Sequence, residues 1–165
     1  MEIFNPEHHL LGRNLFVDLD VIITGDITPL WQHGDSNFTI CQDFNRVFVP
    51  KYDKVNSSVM AWSDYSMEDM YLKFTTEQKA LLATHRGDQD YIGEYVKKPV
   101  LWPTPWVRSY KWEVWRGGIK DRTPNTYMSE DHQSKIPPDC RIIAFHGKPK
   151  PHELSEKKLT KLWLT

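Results

Sequence analysis

Three groups of residues in this chain could do chemistry together: the pair Asp18 and Asp20 inside the apolar run from Leu15 to Ile23, the segment His146-Gly147-Lys148, and the triplet Asp88-Gln89-Asp90. An unpaired carboxylate in an apolar setting costs on the order of several kcal/mol, so Asp18 and Asp20 need a compensating charge, most simply a divalent cation. In an extended chain residues i and i+2 leave from the same side, so the two carboxylates are expected to converge while Leu19 turns back into the core. An imidazole beside two carboxylates makes a mixed N/O set suited to manganese or magnesium and less to calcium. Lys148 can meet a phosphate as a point charge, and Gly147 lets the backbone come close to it. Taken singly, His146 reads as a structural histidine and Lys148 as a solvated lysine; together they read as metal plus diphosphate. Asp88-Gln89-Asp90 also has a plainer explanation, with Asp88 as a helix N-cap and Asp90 favoured by the helix dipole.

The elements that must position these groups follow from pattern. Residues 1 to 14 read as the tail of a helix and a loop with Gly12 as a turn, and Leu15 to Asp18 as a strand. Val21 to Ile23 stays apolar, and Ile27 to Trp31 reads as a short turn of helix around Pro29. Phe38 to Cys41 and Arg46 to Val49 read as short strands, the second ended by Pro50, and Ser57 to Trp62 as a buried strand. From Ser66, taken as an N-cap, the period changes: Met67, Met70, Tyr71, Phe74, Ala80 and Leu81 predict helices. A further helix is expected from Asp88 through Tyr91, Ile92, Tyr95 and Val96 to Lys97-Lys98-Pro99. Residues 99 to 140 are rich in proline and tryptophan and read as irregular, with one strand near Val107 to Trp112. Arg141 to Phe145 is a final buried strand that delivers His146 into a loop, and His152 to Thr165 is helix-like, with Leu154, Leu159 and Leu162 inward.

At 165 residues the chain is long enough for one domain with its own core, spanning 1–165. A net charge of -1, from 21 basic and 22 acidic residues, provides no global field to recruit nucleic acid or an anionic membrane, so phosphate binding would be local. No apolar run approaches the roughly 20 residues of a membrane helix. The start, Met1 to Glu7, has neither the basic end nor the apolar block of a signal peptide, and a cytoplasmic location is expected. Cys41 and Cys140 are then reduced and structural, and the sequons at Asn37 and Asn56 incidental. Aromatic residues make up 13% of the chain, and the cluster Trp102, Trp106, Tyr110, Trp112 and Trp115 could stack on sugars, although core packing explains such residues more often.

Several of these segments, in order, resemble the nucleotide-sugar glycosyltransferases of the GT-A fold, particularly glycosyltransferase family 8. Leu15 to Trp31 resembles that family's strand, D-x-D and following G-D-x-x-P-L-W segment, and Val55 to Met60 its F-N-S-G-V-M strand. Asp88-Gln89-Asp90 resembles its D-Q-D, and His146-Gly147-Lys148-Pro149 is similar to a compressed form of its C-terminal H-x-x-G-x-x-K-P. The resemblance implies an α/β GT-A fold with a mixed sheet and flanking helices, a metal (Mn2+ or Mg2+) on Asp18, Asp20 and His146, and a diphosphate on Gly147 and Lys148. It further implies that Asn56, with Ser57, and Asp88 meet the donor sugar, with Gln89 beside the anomeric carbon. The expected donor is a UDP-sugar and the acceptor a glycan or another hydroxyl compound. In that family a nucleoside-binding unit precedes the D-x-D, whereas 17 residues precede Asp18 here. The resemblance therefore implies either the C-terminal portion of a longer GT-A domain or a degenerate copy.

Two other readings stay open at this point. A HAD-like phosphohydrolase would use Asp18 of Phe16-Val17-Asp18-Leu19-Asp20-Val21 as a nucleophile, but it would leave the later motifs without a role. A non-catalytic glycan-binding domain would use the tryptophan-rich region. Arg108-Ser109-Tyr110-Lys111, between the tryptophans, is a candidate for acceptor or phosphate contacts, set against a solvated strand edge.

Overall fold

A computed structural model of the chain describes residues 1–8, 10–35, 38–49, 51–115, 136–154 and 157–163. Their strands form two sheets. The four-stranded sheet runs β1, β4, β3, β5, built from Arg13–Val17 (β1), Thr39–Gln42 (β3), Val55–Ser63 (β4) and Val100–Leu101 (β5); the three-stranded sheet runs β2, β7, β6, from Val21–Ile23 (β2), Val107–Ser109 (β6) and Ile142–Ala144 (β7). β4 is antiparallel to both β1 and β3, with a bulge at Ile40/Cys41, while β5 lies parallel to β3. β7 is antiparallel to β2 and parallel to β6.

The apolar runs are long because these strands are buried on both faces. Along β4, Met60 and Trp62 join a core with Phe4, Met70, Tyr91 and Ile92, whereas Val59 and Ala61 face a second core with Val21, Leu30, Cys41, Ile142 and Ala144. Ile22 and Ile143 point the other way, into a third core with Tyr110, Val114, Phe145 and Leu159. The middle core thus lies between the two sheets. Burying each of its larger aliphatic side chains contributes about 1.5 to 3 kcal/mol.

Helices cover the outer faces. α1 (Thr28–Gln32) carries Pro29 in its first turn, and α2 (Glu68–Thr76), α3 (Gln78–Thr84) and α4 (Asp88–Tyr95) follow β4. α4 lies close to its strand because Gly93 has no side chain: a Cβ there would come within 3.0 Å of the Val55 Cγ2. A single π-helical turn, Tyr110–Val114, follows β6, and α5 (Lys157–Trp163) packs through Leu159.

Several expectations need correction. Arg46 to Val49 is no strand: Phe44–Val47 is a 3-10 turn, because the Asp43 carboxylate accepts from the Asn45 N–H at 2.7 Å and caps it. Residues 1 to 8 form two 3-10 turns, not the end of a helix. The N-cap of α2 is Met67 and not Ser66, and Asp88 is the first helical residue after Gly87. The strand near Val107 stops at Ser109, where the π turn begins. Leu162 is 38% exposed. Most consequentially, β1 ends at Val17, so strand alternation no longer governs Asp18-Leu19-Asp20, and Leu19 is 95% exposed rather than turned inward. The expectations at Asn37, at Pro50 and over 116–135 lie outside the described residues.

Candidate functional site

The segment Asp18-Leu19-Asp20 carries the chain from one sheet to the other. The Asp18 N–H donates to the Ser58 carbonyl at 2.9 Å, which holds it to β4, and the Phe145 N–H donates to the Asp20 carbonyl at 3.0 Å, which holds that residue to the end of β7. Both aspartates are half-buried. Burial pushes the Asp18 carboxyl above its ordinary range, reinforced by the charges of Asp20 and Asp88, against a hydrogen bond from Ser58 and the charge of Lys150. Negative charge is therefore concentrated at this corner, and α4 begins beside it.

On the four-stranded side an amide relay fixes the neighbouring polar groups. The Asn56 Oδ1 accepts from the Ser58 N–H at 3.0 Å, its Nδ2 donates to the Gln89 Oε1 at 3.0 Å, and the Gln89 Nε2 donates to the Asp43 Oδ2 at 3.1 Å. Asn56 and Asp43 are buried, Ser57 is the buried residue next to Asn56, and Gln89 is half-exposed at the mouth. Gln89 also lines a cleft of about 660 Å³ beside α4, with Gln42, Tyr52, His85 and Glu94.

The three-stranded side contributes positive charge. His146, just after β7, lies flat against Phe44, with centroids 5.0 Å apart and an interplanar angle of 17°, and edge-on to Trp112 at 4.3 Å. Its Nε2 is 2.7 Å from the Ser109 Oγ. Burial, then Lys111, Arg46 and Lys150, push its pKa down to about 3, so the imidazole is neutral at ordinary pH. Ser109 is held in turn: its N–H donates to the Glu113 carboxylate at 2.8 Å, and the Arg46 guanidinium donates to both oxygens of that carboxylate, at 2.9 and 3.2 Å. The Lys150 Nζ contacts the Asp20 Oδ2, while Lys148 turns to the Glu153 carboxylate at 3.3 Å with 85% of its side chain exposed.

Of the residues singled out in the sequence, Asp18, Asp20 and Asp88 lie within electrostatic reach of one another, Asn56 is bonded to Gln89, and His146 feels the charge of the Lys150 that contacts Asp20; Ser57 follows Asn56, buried in β4, and Gly147 follows His146. Lys148 faces outward, and Lys150 stands where it was expected. Lys150 was legible as the second lysine of the Lys-Pro-Lys-Pro run, Lys111 as part of the segment from Arg108, and Asp43 only as a carboxylate in an apolar stretch. The tryptophan-rich region is largely internal: Trp102, Tyr110 and Trp115 are buried in the cores.

The donor set fits a hard divalent cation in part. Two carboxylates, one carrying uncompensated charge, and a neutral imidazole are what such an ion takes. Among the described residues no three His, Cys, Asp or Glu side chains sit close enough to enclose an ion unaided. The Nε2 of His146 is already engaged by Ser109, and its other ring nitrogen has no hydrogen bond among the described residues. A cation held here would use Asp18 and Asp20 and complete its shell from a ligand, with His146 alongside.

No family model matches the chain, and no curated protein matches it in sequence. Solved structures do. The galactosyltransferase LgtC, solved in complex with donor and acceptor sugar analogs, is similar at a TM-score of 0.61 and 16% identity, over 93% of this chain and 61% of LgtC. An active-site mutant of LgtC gives 0.62 over the same shares. The glycosyltransferase GlyE of Streptococcus pneumoniae TIGR4 gives 0.66 at 15% identity, over 97% of this chain and 42% of GlyE. The chain thus has the α/β fold of glycosyltransferases and spans between two fifths and two thirds of the length of these structures. Among the described residues no helix is long and apolar enough to cross a membrane.

Proposed function

We propose that this chain transfers a sugar from a nucleoside diphosphate donor, a UDP-sugar, to a glycan or another hydroxyl acceptor, with Mn2+ or Mg2+. The observation that carries the reading is the contact of Lys150 with Asp20: in a glycosyltransferase fold it brings a carboxylate pair for a cation against a basic loop for a diphosphate. The chain would correspond to the C-terminal, metal-holding portion of a GT-A domain of the family 8 type.

In such a transfer the bond from the anomeric carbon to the diphosphate breaks and one to the acceptor oxygen forms, with the acceptor proton released. A bound cation would neutralise charge on the departing diphosphate, so no strong protein acid is required. Asp18 and Asp20 would hold that cation with His146 beside them, and Gly147 and Lys150 would face the diphosphate, with Lys148, turned to Glu153, at the rim. Asn56, Ser57 and Asp88 would meet the donor sugar. The relay leaves Gln89 one orientation, carbonyl toward Asn56 and amide toward Asp43, which would keep it fixed beside the anomeric carbon. With Trp102, Tyr110 and Trp115 in the cores, the reading as a tryptophan-lined glycan-binding module has little surface to rest on. The glycosyltransferase fold likewise favours transfer over HAD-like phosphohydrolysis.

The test is calorimetric titration with UDP in Mn2+, comparing the wild type with Asp20→Asn. Saturable binding that requires the metal and disappears in the variant supports the reading; absence of binding by the folded wild type overturns it.

A further inference from the structure

Lys111 is a half-buried charge without an obvious reason to be there. It is the second residue of the π turn and half-buried, its stem running beside Trp112 so that its Nζ is 5.1 Å from that ring's centroid. The ammonium reaches Gly147: a Cβ built on that glycine would stand 3.3 Å from it, and Gly147, at φ +75, is in a conformation that disfavours any other residue. Other basic groups nearby have acidic partners: Arg46 and Arg108 share Glu113, Lys148 pairs with Glu153, and Lys150 with Asp20. Lys111 has none among the described residues. Burial and the charge of Lys150 both act against its protonated form. A cation held among cations, over an open stretch of backbone, is a position that an anion completes.

We propose that Lys111 is a phosphate-binding residue of this site, and that with Gly147 and Lys150 it receives the diphosphate of the donor. This rests on the donor-site reading above and adds to it a residue from a different element, the π turn after β6. A phosphate oxygen there takes a charge-assisted hydrogen bond from the Lys111 Nζ, and the missing side chain at Gly147 leaves room for it. In the π turn Tyr110 and Val114 go into the core, while Lys111 between them is left half-buried with its ammonium near Gly147.

Titration with UDP in Mn2+ separates the possibilities. Lys111→Met is expected to weaken binding by about ten-fold or more, the worth of one hydrogen bond to a charged group. Lys111→Arg keeps most of the affinity, and Lys73→Met, on the exposed side of α2, changes it by less than about two-fold. A Lys111→Met protein that melts like the wild type and binds UDP equally well overturns this assignment while leaving the donor site standing. No UDP binding by the wild type overturns both. The second readout needs no variant: acetylation of wild-type lysines, mapped by peptide mass spectrometry, is expected to spare Lys111 when UDP and Mn2+ are saturating. Equal acetylation with and without UDP overturns the assignment.

Discussion

The Nε2 of His146 lies 2.7 Å from the Oγ of Ser109, and that hydroxyl also accepts from the Trp112 N–H at 3.2 Å. A neutral histidine between two aromatic rings has little else to fix its rotation. Ser109→Ala is expected to cost about 1 kcal/mol of stability in urea unfolding. It should also lower the affinity for Mn2+ measured with UDP present, because the imidazole is no longer aimed. Unchanged metal affinity would show that the ring is held by packing alone.

Arg46 and Glu113 form an ion pair with side chains only 8% and 9% exposed. Glu113→Gln leaves the guanidinium buried without its counter-charge and should destabilise the protein by about 3 to 5 kcal/mol. The double variant Arg46→Met, Glu113→Leu should recover much of that loss. If the single change costs less than about 1 kcal/mol, the pair is solvated in solution and does not brace the site.

The two lysines of the loop after β7 should differ. Lys150 stands on Asp20, and Lys148 points to Glu153 near the surface. Lys150→Met is expected to weaken UDP binding about ten-fold, and Lys148→Met about two-fold. The reverse order would mean that the loop rearranges when the donor binds.

Both cysteines are buried, and burial raises their thiol pKa values, Cys140 to about 11. An unfolded thiol ionises near 8.5. Between that value and 11 the native state therefore holds more protons than the unfolded one, and the contribution of Cys140 to stability, complete below 8.5, is lost as pH rises through 11. Native protein should not react with Ellman's reagent at pH 8 and should react at both thiols in denaturant. Cys140→Ala should flatten the loss of stability above pH 9. Rapid reaction of the native protein would show that the core around Cys41 or Cys140 opens easily.

How much of this was legible in the sequence depended on whether a residue's environment is local. β4, β7 and the core residues of α4 follow from apolar runs and period, because strands buried on both faces advertise themselves. Arg46 to Val49 misled because Val47 and Val49 mimic a strand, while the capping carboxylate of Asp43 and the partner Glu113, far along the chain, decide the turn. Strand alternation points Leu19 inward only if it is extended past Val17, where pairing stops. The sequence does not distinguish Lys150 from Lys148, because spacing along a loop says nothing about which way each side chain leaves it. Lys111 reaches the site only through a π turn, which has no periodic signature in five residues.

Asp20 precedes β2 and Lys150 follows β7, so their contact leaves the resting site already partly self-neutralised. A cation arriving alone must compete with an ammonium for Asp20, and an anion arriving alone must compete with a carboxylate for Lys150. Only the two together replace both partners. On the proposed reading their binding would be mutually reinforcing, each raising the other's affinity by the same factor, and the seam would act as a coincidence detector for metal and diphosphate.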